Sequence, residues 1–135
     1  VAGQIIVVRA GNDTITGPDT LTGDVGVQSG TTGDDEVTAL DTVDEVVRYD
    51  EIGLAFAALL NGQLDAVVCD TPVAEGYVST YSDELKTVGE VLTTEEYGIA
   101  FPKGNDALVA KINQALAEVK ADGLIEELVL EWLVD

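Results

Sequence analysis

With 135 residues, 46% of them apolar, the chain is long enough for one domain with a real core and too hydrophobic for a disordered segment. Its 26 acidic and 6 basic residues give a formal charge of −20, which disfavours nucleic acid and anionic membrane surfaces as partners. Histidine is absent and cysteine occurs once, so histidine-based triads, most zinc sites and an intrachain disulfide are excluded.

Gln4–Arg9 is a β-branched run and predicts a strand. Residues 11–23, rich in Gly, Asp and Thr and holding Pro18, read as a loop with one helical turn. Residues 24–27 are the next strand. From Thr31 to about Leu40 the chain predicts a short helix, capped by Thr31 or Thr32, with Asp34, Asp35 and Glu36 suited to its positive end. Glu45–Tyr49 follows as a strand. Asp50 is placed to cap a helix that gathers Ile52, Ala55, Phe56, Leu59 and Leu60 on one face, and Asn61-Gly62 suits its left-handed end.

Residues 65–69 form a near-continuous apolar strand, as expected where both faces of a sheet are covered, with Cys69 as a buried small hydrophobe. Asp70-Thr71-Pro72 starts a helix to about Tyr81, with Pro72 fitted to the first turn. Leu85–Val88 and residues 97–101 read as further strands. Two helices close the chain. Asn105 or Asp106 caps the first, which spaces Leu108, Ile112, Ala115, Leu116 and Val119 helically; after Gly123 the second carries Leu124, Ile125, Leu128, Val129, Trp132 and Leu133. Strands alternating with helices argue for a three-layer α/β sandwich around a mostly parallel sheet. No run of about 18 apolar residues is present to span a membrane, and no signal peptide opens the chain.

Two places offer chemistry. The strand ending at Val27 and Gln28 breaks into Ser29-Gly30-Thr31-Thr32-Gly33 and then an acidic helix, a turn whose backbone N–H groups and hydroxyls suit a small anion. Asp70 follows the end of another strand, and in an open α/β sheet such ends share one crevice. A zwitterion fits the pair, its carboxylate on Thr31 and Thr32 and its ammonium on Asp70. By composition and spacing alone the same residues also read as two ordinary helix caps. The acidic clusters Asp34-Asp35-Glu36 and Glu95-Glu96 lack calcium-loop spacing and read as solvated surface; no metal site or phosphate loop is expected. Dispersed acids with scarce Lys resemble the proteins of salt-loving microbes, where ionic strength screens self-repulsion.

Four stretches carry a resemblance: GVQSGTTGD at 26–34, VRYDEIGLAFAALLNGQLDAVVCD at 47–70, TEEYGIAFPKG at 94–104, and residues 107–132. In this order and spacing the chain resembles family 3 of the extracellular, periplasmic-type solute-binding proteins that serve amino-acid ABC importers. The resemblance implies a periplasmic-binding-protein-like fold of two α/β lobes joined by two crossing strands. Residues 1–9 and 97–103 would be those strands, residues 10–96 the ligand-binding second lobe, and residues 104–135 helices that pack on the first lobe. The family's roles, carried over, give Thr31 and Thr32 to the ligand α-carboxylate and Asp70 to its α-ammonium, with Gln28 and Gly33 lining the cleft.

The same resemblance implies a polar amino acid as ligand, a transporter permease as partner, no cofactor, no enzymatic activity, and a surface anchor in a segment outside this chain. The family's first lobe, with its carboxylate-clamping arginine and aromatic wall, is absent. The chain is therefore expected to hold half a site, to bind weakly alone, and to bring its closing helices against the missing lobe or a second copy. The alternatives are a sensor domain on the same fold, or a cyclohexadienyl- or prephenate-dehydratase-like enzyme using Asp70 or Glu95 as general acid or base.

Overall fold

Every apolar run read as a strand between residues 4 and 88 joins one sheet. The computed structural model describes residues 2–132. Its strands are β1 (Gln4–Arg9), β2 (Asp24–Gln28), β3 (Glu45–Tyr49), β4 (Ala66–Asp70) and β5 (Leu85–Val88), in the spatial order β3-β2-β4-β1-β5. β2 is parallel to β3 and β4, whereas β1 is antiparallel to both β4 and β5. Four strands thus run one way and β1 alone runs against them. The helices of this part are α1 (Thr32–Thr38), α2 (Ile52–Leu60) and α3 (Thr71–Thr80), with one 3₁₀ turn at Pro18–Thr20.

Alternation along β1 and β4 explains why both are nearly unbroken apolar runs. Ile5, Val7, Val67 and Cys69 join one core with Phe56 and Leu59 of α2 and Ala74 of α3. Ile6, Val8, Ala66 and Val68 face the other way and join Val25, Val27 and Val37 of α1. A strand covered on both faces needs no polar alternation. Phe56 also stacks on Tyr77, ring centroids 3.8 Å apart, which ties α2 to α3. A Cβ at Gly26 of β2 would come 2.5 Å from a Leu64 methyl group and 3.3 Å from Cβ of Ala55 in α2, so any larger residue there would force these neighbours to shift. Arg9, at the far end of β1, donates to the carbonyls of Leu59 (2.9 Å) and Leu64 (2.6 Å) and so satisfies the end of α2.

The chain divides into two compact units, Val1–Glu96 and Tyr97–Asp135. β1 lies between β4 and β5, inside the sheet of the first unit. The strand expected at 97–101 is not formed. A strand exists only where a neighbour supplies its ladder, and the pairing in this stretch stops at one bridge between Ala2 and Glu95. In the second unit α4 (Asp106–Ala121) and α5 (Leu124–Trp132) meet at Gly123, whose φ of +75° is the left-handed geometry that stops a helix. Asp106 in the first turn of α4 and Lys120 in its last complement the helix dipole. Leu108, Leu128 and Trp132 are exposed; Leu133, expected to complete the second helix's apolar face, is outside the described residues.

One cap differs from expectation: Glu51, not Asp50, is the N-cap of α2. Asn105, one of the two expected residues, is the N-cap of α4, and neither side chain makes a capping bond. Asp70 is the N-cap of α3 by position, but its carboxylate does not cap.

Candidate functional site

The carboxyl ends of β2 and β4 open onto the starts of α1, α2 and α3, the place where ligands bind in open α/β sheets. A pocket of about 150 Å3 lies there. Gln4, Gln28, Thr31 and Asp70 give it a polar wall, and Ile52, Val68, Cys69 and Val73 an apolar one. Complete small-molecule sites span roughly 300–1,000 Å3, so this pocket is smaller than most.

The turn between β2 and α1 is held by a dedicated charge pair. Gly30 takes φ +70°, a conformation that favours glycine. Its N–H donates to Asp34 Oδ2 at 3.1 Å. Arg48 Nε donates to both Asp34 oxygens, at 2.9 and 3.0 Å, and Thr38 Oγ1 donates to Asp34 Oδ1 at 3.1 Å. Asp34 is buried, and these donors hold its carboxyl below the ordinary 3.8: the Arg48 bond first, then the Gly30 N–H, against the opposing effect of burial. The acid read from sequence as a helix-dipole partner is therefore also the buttress of the turn.

Thr31 is the N-cap of α1. Its hydroxyl donates to the Gln28 carbonyl at 2.8 Å and accepts the Asp34 N–H at 3.3 Å. The hydroxyl proton expected to help an anion is thus spent inside the turn. Gln28 reaches across to donate to the Asp50 carbonyl at 3.1 Å. Thr32 is exposed and Gly33 is buried, and neither joins Gln28, Thr31 and Asp70 in the pocket wall. Gly33 instead permits a close approach. A Cβ there would lie 2.6 Å from Gln4 Oε1 and 3.1 Å from the Val68 carbonyl.

At the other end of the pocket, Asp70 stands opposite Gln4 across the β1–β4 ladder. Gln4 Nε2 donates to Asp70 Oδ1 at 2.5 Å and to Glu95 Oε1 at 2.9 Å. Gln4 is the site residue that sequence reasoning missed. Its signal was a polar amide heading an otherwise apolar β-branched run. Glu95, considered beside Asp70 as an acid or base, bonds Gln4 and Thr93 rather than lining the pocket. Cys69 is buried as expected; burial first, then the Asp70 charge, push its thiol up to about 12, which keeps it protonated and unreactive at neutral pH. Among the described residues no three Cys, Asp or Glu side chains converge as metal ligands would.

The whole chain, residues 1–135, matches the bacterial extracellular solute-binding proteins, family 3. The chain belongs to that family. The L-cystine-binding protein TcyJ of Escherichia coli (strain K12) is 32% identical over 134 residues, covering 98% of this chain and 50% of TcyJ. ArgBP from T. maritima, solved as a mutant, is 40% identical with a TM-score of 0.81 over 99% of this chain and 58% of that one. An ancestral arginine-binding protein bound to arginine is 43% identical with a TM-score of 0.80, over 97% of this chain and 60% of that chain. This family member spans about half the length of the curated relatives it matches. The expected fold class, a periplasmic-binding-protein-like α/β lobe, is the observed one. No helix among the described residues is long and apolar enough to cross a membrane.

Proposed function

We propose that this chain is the ligand-contacting lobe of an extracellular amino-acid-binding protein that delivers a polar amino acid to an ABC-type importer. The observation that carries this reading is the sharing of one pocket by Gln28, Thr31 and Asp70, which lie as much as 42 residues apart, at the carboxyl ends of two parallel strands. The turn at Thr31 and Thr32 meets the α-carboxylate through backbone N–H groups at the start of α1, with the exposed Thr32 hydroxyl beside them. Asp70 meets the α-ammonium. Charge-assisted bonds of this kind are worth about 1.5–3 kcal/mol each. The names of TcyJ and of the arginine-binding proteins support an amino acid as the guest.

A second lobe closes over this wall, a permease receives the closed complex, and an anchor outside this chain holds it at the cell surface. Alone, the lobe binds weakly, because closure supplies the remaining burial and the second grip on the carboxylate. Calorimetry of the complete gene product against the twenty common L-amino acids and L-cystine tests this. Binding of at least one of them, lost in Asp70→Asn, supports the reading. Binding that survives Asp70→Asn, or none at all, overturns it.

A further inference from the structure

Gln4 is buried, with 1% of its surface exposed, in a strand whose other inner positions are apolar. Among the described residues its Oε1 has no hydrogen-bond partner, which is costly for folding. A second position is committed to the same amide, since Gly33 must lack a side chain to clear Oε1. An apolar residue at position 4 would avoid that particular cost. Where local rules are broken at a folding cost, the compensating benefit is sought in function.

Both donors of the amide are spent on carboxylates, Asp70 at 2.5 Å and Glu95 at 2.9 Å. The bonding closes into a ring. The Gln4 N–H donates to Thr93 Oγ1 at 2.9 Å, and Thr93 Oγ1 donates to Glu95 Oε1 at 3.2 Å. Beside it, the Thr71 N–H and hydroxyl both donate to the Gly3 carbonyl at 2.8 Å, so the residue after Asp70 is tied to the same segment. The amide is neutral. It fixes the Asp70 carboxylate without cancelling its charge, which a lysine or arginine in its place would do.

We propose that Gln4 is a positioning residue for the ligand site: it aims the Asp70 carboxylate at the guest's ammonium group and anchors that aim to Glu95. The inference rests on the reading of Asp70 as the ammonium partner. A fixed acceptor loses less freedom on binding than a mobile one, and the gain appears as affinity.

The test uses the complete gene product, melting curves, and calorimetry with the twenty common L-amino acids and L-cystine. Gln4→Met conserves volume and removes the orphaned oxygen. It is expected to melt at or above the wild-type temperature while affinity for the bound amino acid falls about tenfold to a hundredfold. That opposition of signs separates positioning from a structural role, which lowers both together. Glu95→Leu keeps Gln4 and removes its outer anchor; affinity is expected to fall about threefold, and this variant carries the test should Gln4→Met fail to fold. Unchanged affinity in the folded variants, or affinity falling in step with melting temperature, overturns the proposal. Asp70→Asn separates the two readings. If it abolishes binding while Gln4→Met retains it, only the positioning role falls; if it retains binding, the site reading falls and this inference with it.

Discussion

The two polar ends of the pocket are held by opposite means. At the turn, backbone is fixed by a buried charge: Asp34 gathers the Gly30 N–H, Thr38 and the half-exposed Arg48. At β4, a charge is fixed by a neutral group: the Gln4 amide holds Asp70. The Asp34 charge is matched by Arg48 within the turn. The Gln4 amide is neutral and does not itself cancel the charge of the Asp70 carboxylate. On the proposed reading the turn meets an anion through backbone N–H groups and Asp70 meets a cation, the two poles of a zwitterion.

The largest way to break the contrast is Asp70→Ala. It is expected to lower amino-acid affinity of the complete protein about a hundredfold, measured by calorimetry, because a charge-assisted bond is lost at the point of contact. Gly33→Ala strikes both ends at once, since the new Cβ meets Gln4 Oε1 and the Val68 carbonyl. Overpacking of that sort costs about 1–3 kcal/mol, read as a lower midpoint in denaturant.

Arg48→Met should cost about 1 kcal/mol in the same assay, since the pair it breaks is half exposed on the arginine side. The loss belongs to the turn end, so the ammonium contact proposed for Asp70 should be unaffected.

The smallest contrast is in pH. Asp34 is held below its ordinary 3.8 in the fold, so it contributes stability that is complete above that value and is lost as pH falls through its lowered folded value. Melting temperature should drop over that acid window in the wild type. The drop should flatten in Arg48→Met, which removes the largest cause of the shift.

Much of the lobe was legible because its signals are local. β-branched runs marked β1, β3 and β5 to the residue, and Gly62 and Gly123 marked helix ends by their left-handed geometry. The failures came where an element depends on a distant neighbour. Residues 97–101 have strand-like composition, yet a ladder needs a partner, which composition does not reveal. The cap of α2 was placed one residue early, at Asp50 rather than Glu51, because sequence signals locate a helix end only to within a residue or two.

Sequence by itself determined the alternation of strand and helix, the places of Thr31 and Asp70 at the ends of two strands, and the family pattern that links them; these rest on residue type and spacing. Only the tertiary structure decided that β1 runs against its neighbours within the sheet, that Thr31 turns its hydroxyl inward, and that Gln4 meets Asp70 from 66 residues away. Antiparallel pairing put those two side by side, and no local propensity encodes such a meeting: it follows from which strands a common core brings together.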